Sequence, residues 1–349
     1  MKLGLVGANG SVGTELCFLL MDDVKLKPII RNKLGAVFLK YHGFDCHIAD
    51  IAQKNDAMES LSDIDLVVIA SYATDPFSGS QTQSSQHVNE QLIKNAVKFS
   101  NDNSTIIYFS TIRAFSHKID PNTPRFWLQS AYDKEKKHLE HVLFSECAKQ
   151  KKRGFALRIG LVVGDNQSRT REIKKKFSKK NVLVQVSPEK KSNIVHTVTI
   201  KDAILRCAKS DIKPGLYSVV NNPQWTWKDV FEYYKNKETK IDYKPSTTKL
   251  KKSNSLLWNI LKSKKKYLTP IRYYLPRRFD KTIQQKLSIK RMMLAISTLK
   301  NEDALYLSDF SYEPIPGPFI PNLKNTKELL KNYSLDVFNY PKIKPSSKT

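Results

Sequence analysis

The chain has 349 residues, of which 40% are hydrophobic, and its formal net charge is +26. This length and composition suffice for a large core with a second, smaller lobe. No apolar run is long enough to cross a bilayer, and the opening strand is too short and glycine-interrupted for a signal peptide, so we expect a cytoplasmic protein. The cysteines lack C-x-x-C pairing, which predicts reduced, mostly buried thiols and no metal site; they are Cys17, Cys46, Cys147 and Cys207.

The chain opens with a strand, a glycine-rich turn and a helix. The apolar run 3–6 precedes the turn, and residues 14–20 have helical apolar spacing. Glycines allow close approach to a pyrophosphate, and a helix N-terminus offers unpaired N–H groups. The spacing is G-x-x-G-x-x-G rather than the ordinary G-x-G-x-x-G. A glycine turn that serves only the fold is the alternative to a dinucleotide site, which would be formed by Gly7, Asn9, Gly10, Ser11, Val12 and Gly13.

The following 150 residues alternate β-branched runs with helical patterns, as a parallel doubly wound sheet requires. Strands are predicted at 28–31, 44–49, 65–70, 105–110 and 155–163, and helices at 56–61, 86–99 and 131–149. The runs 65–70 and 105–109 are typical of central strands buried on both faces. The predicted fold class is therefore α/β, a Rossmann-type doubly wound parallel sheet with a smaller C-terminal substrate lobe.

We predict an NAD(P)-binding Rossmann domain over 1–165 and a substrate lobe over 166–335, into which some Rossmann elements return. A basic insert at 246–300 lies within that lobe, and 336–349 form a tail.

The end of the second strand bears on cofactor choice. An acidic residue there would bind the ribose hydroxyls of NAD, whereas Arg31 with Asn32 and Lys33 suits a 2′-phosphate. The sequence thus favours NADP over NAD. The alternative is that Arg31 is a solvated loop charge or stacks on adenine.

In doubly wound folds, ligands bind at the carboxyl ends of the strands, so catalytic side chains are expected there. The run 105–109 ends in Ser110 and Thr111, and about twenty residues later a helix begins with Tyr132 and Lys136 on one face. An ammonium near a phenol favours the phenolate and lowers the phenol pKa from about 10, which suits proton exchange with a carbonyl or alcohol. Thr111 could hold the substrate oxygen.

In this order the motifs resemble those of the NAD-dependent epimerase/dehydratase family, the extended short-chain dehydrogenases/reductases. The resemblance covers roughly residues 1–240 and 305–335. Its motifs are the glycine turn, Asp50-Ile51, Asn89, Tyr132 with Lys136, Arg158-Ile159-Gly160, Val163-Gly164, 196–204 and 310–314.

The resemblance implies that Tyr132 exchanges the proton, that Lys136 holds the nicotinamide ribose, and that Thr111 polarises the substrate oxygen. Thr111 replaces the usual Ser, and Ser110 could substitute for it. Other cofactor residues implied are Asp50, Ile51 and Ala70, and Asn89 is a candidate substrate residue.

Ile112 and Arg113 stand where dehydratases carry an acidic pair, which leaves a nucleotide-sugar 4-keto reductase or 4-epimerase. The family further suggests surface-polysaccharide biosynthesis, and a homodimer is left open. The alternative is a non-catalytic, NADP-sensing regulatory protein on the same fold, although the intact Tyr132 and Lys136 pair argues against it.

The positive charge is concentrated between 246 and 300, where fifteen basic residues and one acidic residue give +14. Trp258 and several tyrosines interleave with the lysines, which is typical of a segment that contacts an anionic membrane at its surface. A helical insert packed on its own lobe is the alternative, and Arg277 and Arg278 could instead bind a substrate pyrophosphate. We expect no nucleic-acid partner, because no recognition module is present.

Overall fold

The computed structural model describes residues 1–74, 82–114, 131–164, 167–209, 212–221 and 224–244, with the backbone of 304–305. The basic insert with Arg277 and Arg278, the motif at 310–314 and the tail lie outside the described residues.

The first half of the chain alternates strands with helices. Its elements are β1 (Lys2–Val6), α1 (Ser11–Leu20), β2 (Lys25–Ile30), α2 (Lys33–Tyr41), β3 (His47–Ile48), α3 (Lys54–Leu61) and β4 (Leu66–Ile69). They continue with α4 (Gln83–Phe99), β5 (Thr105–Thr111), a short 3-10 turn (Ile112–Ala114), α5 (Ala131–Lys149) and β6 (Arg153–Ile159).

The second half contributes β7 (Leu161–Val163), α6 (Ser168–Lys176), β8 (Asn181–Val184), β9 (Ile194–His196), α7 (Thr197–Ala208), β10 (Gly215–Val219), α8 (Trp227–Tyr234), β11 (Lys240–Tyr243) and β12 (Ala304–Leu305).

The main sheet is parallel, with the order β12-β10-β6-β5-β4-β1-β2-β3. From β1 the chain builds outward through β2 and β3, and it then returns to place β4 on the other side of β1. The carboxyl ends of β1 and β4 therefore flank the switch point, where doubly wound sheets bind their ligands. The predicted Rossmann-type fold class is confirmed.

Helices cover both faces of this sheet. One apolar cluster joins the sheet to α1, α2 and α7, and a second joins the opposite face to α3, α4 and α5. A third cluster lies among α6, β8 and α8, where β8 pairs with β11 outside the main sheet. β4 is wholly buried and β5 is buried except at its last residue, as expected for central strands. All four cysteines are buried, as predicted.

One predicted strand is wrong in its extent, because the run 155–163 divides at Gly160. Gly160 N donates to the Val219 carbonyl at 3.0 Å, and Leu161 N then donates to the Asn193 carbonyl at 2.9 Å. The chain thus leaves the main sheet, and β7 pairs with β9. A Cβ at Gly160 would lie 2.3 Å from the Asn193 oxygen, so this crossing has no room for a side chain.

Helix α2 was not predicted, although its start carries a recognisable signal. The Asn32 side chain accepts a hydrogen bond from Gly35 N at 2.9 Å and so caps the helix. Gly35 inside the first turn weakens the helical pattern, which explains the omission.

Among the described residues, no helix is long and apolar enough to cross a membrane. In the same part of the chain, no group of three or more His, Cys, Asp or Glu side chains could hold a metal ion.

Candidate functional site

The glycine turn between β1 and α1 forms a tight cradle at the switch point. Gly7 has φ +86°, and a Cβ there would lie 2.7 Å from Ser71 N in the segment after β4. A Cβ at Gly13 would lie 2.4 Å from the Gly7 carbonyl oxygen. Neither position accepts a side chain without moving the backbone, so both glycines are required for this close approach of β1, α1 and β4.

The cradle fits a dinucleotide pyrophosphate. Gly10 is the N-cap of α1, and no side chain of the described residues caps the helix at that point. Because the first N–H groups of a helix lack intrahelical acceptors, the first turn of α1 can donate to an anion. Gly10 and Ser11 are exposed, which leaves the turn accessible.

The other predicted cofactor residues follow the neighbouring strands. Arg31 is exposed immediately after β2, and Ala70 follows β4, where its N–H donates to the Val6 carbonyl at 3.0 Å. Asp50 lies two residues after β3, and its carboxylate accepts from Ala52 N at 3.1 Å. Ile51 is buried in the core. The sheet thus brings the carboxyl ends of β2, β3 and β4 to the same edge as the glycine cradle.

Lys136 is buried in the second turn of α5, next to the carboxyl end of β5. Its Nζ donates to the Phe109 carbonyl at 2.7 Å and lies 4.4 Å and 4.6 Å from the ring centroids of Tyr72 and Tyr108. Burial lowers the Lys136 pKa to about 7, against the opposing charges of Glu135 and Glu140.

Tyr132 lies one turn earlier on α5, with its ring edge-on to Tyr72 at 5.0 Å. Burial raises the Tyr132 pKa to about 12, Arg113 opposes this increase, and Asp133 and Glu135 add to it. The sequence predicted the opposite direction for the Tyr132 pKa. The difference arises because desolvation is the largest effect on the Tyr132 pKa. In addition, Lys136 Nζ donates to the Phe109 carbonyl and lies 5.8 Å from the Tyr132 ring centroid.

The two hydroxyl side chains at the end of β5 have different surroundings. Ser110 Oγ donates to Glu140, whose carboxylate also accepts from Arg158 Nε at 2.9 Å and Nη2 at 2.7 Å. All three side chains are buried, so Ser110 belongs to an internal network. Thr111 is half-buried, and its Oγ1 accepts from Arg113 N at 3.3 Å. Thr111 is therefore the better candidate to donate a hydrogen bond to substrate.

A buried carboxylate that the sequence did not identify connects side chains near Lys136. Glu135 is buried and accepts hydrogen bonds from the Tyr72 hydroxyl at 2.9 Å and from Asn89 Nδ2 at 2.8 Å. Asn89 also bonds the Ala73 backbone in both directions, at 2.7 Å and 3.0 Å. Burial raises the pKa of Tyr72, and the hydrogen bond to Glu135 raises it further. Asn89 thus fixes the segment after β4, and its contact with substrate stays a prediction.

A signal for these groups is present in the sequence of α5. Glu135, Lys136 and Glu140 share the helix face of Leu139 and Leu143, at spacings of three and four residues. Charged side chains on an apolar face are buried with partners, so this face could have identified Glu135 and Glu140.

Arg113 connects the end of β5 to the first turn of α5. The residue is part of the 3-10 turn after β5, and its Nη2 lies 3.1 Å from Asp133 Oδ2. The Asp133 side chain is 1% exposed. This ion pair joins the end of β5 to the first turn of α5.

No family model and no curated protein matches the chain. Solved structures do match it. ADP-L-glycero-D-manno-heptose-6-epimerase from Helicobacter pylori aligns at 19% identity over 69% of this chain and 84% of its own, with a TM-score of 0.53. UDP-glucose 4-epimerase from Thermotoga maritima aligns at 15% identity over 71% and 87%, with a TM-score of 0.53.

UDP-glucuronic acid 4-epimerase from Bacillus cereus, solved with UDP-glucuronic acid and NAD, aligns at 17% identity over 70% of this chain and 87% of its own, with a TM-score of 0.52. The chain therefore has the fold of the NAD-dependent sugar epimerases, as its motif resemblance to the epimerase/dehydratase family predicted.

Proposed function

We propose that this protein is an NAD(P)-dependent enzyme acting on a nucleotide sugar, either a 4-keto reductase or a 4-epimerase. The observation that carries the proposal is that Thr111 is the last residue of β5 and that Tyr132 and Lys136 lie in the first two turns of α5, where Lys136 Nζ donates to the Phe109 carbonyl of β5. Solved epimerases of the same fold contain NAD and UDP-sugars, which supports the cofactor and substrate classes. A role in surface-polysaccharide biosynthesis rests on the family resemblance.

The cofactor would lie with its pyrophosphate at the Gly7 to Gly13 turn and its nicotinamide ribose towards Lys136. When bound, the nicotinamide supplies hydride transfer to or from the sugar carbon. Tyr132 carries the proton that accompanies this transfer, giving it to the substrate oxygen in reduction and taking it in oxidation. Thr111 donates a hydrogen bond to the same oxygen. The rings of Tyr72 and Tyr108 lie against Lys136 Nζ and keep water from it.

The proposed chemistry is tested by incubating the protein with NADH or NADPH and a panel of nucleotide 4-keto sugars while absorbance at 340 nm is followed. A reductase consumes cofactor in turnover, whereas an epimerase interconverts sugars without net consumption. Tyr132→Phe should lower turnover by about 100-fold or more and leave cofactor affinity nearly intact. Near-normal turnover in this variant would remove Tyr132 as the acid/base. Cofactor binding without turnover of any sugar would favour the NADP-sensing regulator.

The cofactor we propose is NADP, selected by Arg31. The side chain is exposed directly after β2 and just before the N-terminus of α2, where a 2′-phosphate could meet both. A charge-assisted pairing of this kind contributes about 1.5 to 3 kcal/mol, or about 10- to 150-fold in affinity. Arg31→Ala should therefore lower the ratio of NADPH to NADH affinity by that factor. An unchanged ratio would show that Arg31 does not select between NADP and NAD.

For the insert at 246–300 we propose contact with an anionic membrane surface, on the basis of its +14 charge and interleaved Trp258. The protein should sediment with anionic vesicles but not neutral ones at low salt, and binding should weaken at high salt because screening shortens the reach of charges. If it stays in the supernatant with anionic vesicles, the insert does not dock on lipid, and Arg277 and Arg278 become candidates for the substrate pyrophosphate.

A further inference from the structure

Two basic side chains of the described part of the chain, Lys136 and Arg113, come near Tyr132. Lys136 makes its closest contacts with groups other than Tyr132. Its Nζ donates to the Phe109 carbonyl, and its distance to the Tyr132 ring centroid, 5.8 Å, exceeds its distances to the rings of Tyr72 and Tyr108. Burial also lowers the Lys136 pKa to about 7, so its positive charge is held less firmly at neutral pH than that of an arginine.

Arg113 has the opposite properties. Its guanidinium does not lose its proton in the working range of proteins. The ion pair with Asp133, at 3.1 Å, holds that guanidinium against the first turn of α5, and Asp133 is the residue next to Tyr132. The backbone N–H of Arg113 also donates to Thr111 Oγ1 at 3.3 Å, so Arg113 contacts both the end of β5 and, through Asp133, the first turn of α5.

Among the described residues, the charged and titratable groups that interact with Tyr132 come from four parts of the fold. They are Tyr72 after β4, Tyr108 in β5, Arg113 after β5, and Asp133, Glu135 and Lys136 on α5. Burial is the largest effect on the Tyr132 pKa and raises it, and the Arg113 charge is the next and lowers it, while Asp133 and Glu135 raise it.

We propose that Arg113 is a positioning residue of the active site, which Asp133 holds in place so that a permanent positive charge stabilises the Tyr132 phenolate. The proposal rests on the proposed function, in which Tyr132 gives its hydroxyl proton to the substrate oxygen and keeps the electron pair. The negative charge then lies on the Tyr132 oxygen until a proton returns. Arg113 thus takes the part that the sequence had suggested for Lys136.

The test uses the full chain with 3,5-difluorotyrosine at position 132, whose more acidic phenol titrates in an accessible range. Fluorine NMR follows its ionisation without cofactor or substrate. Removing a cation from the vicinity of a phenol should raise its titration midpoint by about one pH unit or more in Arg113→Met. Arg113→Lys should restore much of the shift. Lys134→Met, which removes an exposed charge from the same helix, is the matched control.

A midpoint in Arg113→Met that moves no further than in Lys134→Met would overturn the proposal. If Arg113→Met does not fold, Arg113→Gln keeps a polar group beside Asp133 and decides by the same criterion. Because the titration needs no turnover, it separates this proposal from the proposed function. Inactivity towards all nucleotide sugars with a shifted midpoint refutes only the function, and activity with an unshifted midpoint refutes only the role of Arg113.

Discussion

Replacing Lys136 with Met should increase the free energy of unfolding, by an amount that falls as the pH rises. Burial lowers the pKa of this amine from its ordinary 10.5 to about 7. The difference of about 3.5 corresponds to about 5 kcal/mol at 1.36 kcal/mol per pKa unit. The wild-type fold bears this cost fully below pH 7, where both the folded and unfolded states hold the proton.

The sign follows from proton binding in the two states. Between pH 7 and 10.5 the unfolded chain holds this proton and the folded protein has largely lost it, so stability rises with pH in that window. From pH 7 to pH 9 the wild type should gain about 2 kcal/mol relative to Lys136→Met. The variant also loses the hydrogen bond to the Phe109 carbonyl, a loss of about 1 kcal/mol.

Urea denaturation of both proteins at pH 6, 7, 8 and 9 measures this difference, and the pH-dependent effects of groups that do not interact with Lys136 cancel in the comparison. Lys134→Met is the matched control, because it leaves the buried ammonium in place and should retain the pH dependence of the wild type. A difference between wild type and Lys136→Met that stays constant from pH 6 to pH 9 would refute the reasoning. The same substitution should abolish turnover, so stability and activity change in opposite directions.

Two further predictions concern the cradle and the network beneath the site. Gly13→Ala should weaken NADPH and NADH binding by about 10-fold or more in fluorescence titrations, because its Cβ would lie 2.4 Å from the Gly7 oxygen; unchanged affinity would contradict the cradle assignment. Glu140→Ala should lower the free energy of unfolding by about 3 to 5 kcal/mol, because it removes the carboxylate that pairs with buried Arg158. Glu140→Leu with Arg158→Met should lose much less, and equal losses would argue against a buried ion pair.

The sequence alone determined the fold class, the glycine turn and most elements of the first half of the chain. Helix α5 begins and ends at the predicted residues, and β4 and β5 are the expected central strands. These features are local, since hydrophobic periodicity and glycine spacing can be recognised within a short stretch of the sequence. The same local reasoning put Thr111 at the end of a strand and Tyr132 and Lys136 in the first two turns of a helix, and the structure has them there, while their roles stay predictions.

Only the tertiary structure decided how these side chains behave. Glu135 is connected to Tyr72 and Asn89, which come from separate parts of the chain, and no spacing encodes that meeting. Burial reverses the expected direction of the Tyr132 pKa, because desolvation depends on everything packed around a group and not on its neighbour four residues away. The division of a predicted strand at Gly160 has the same origin, since a strand continues or leaves a sheet according to which distant strand supplies its hydrogen bonds.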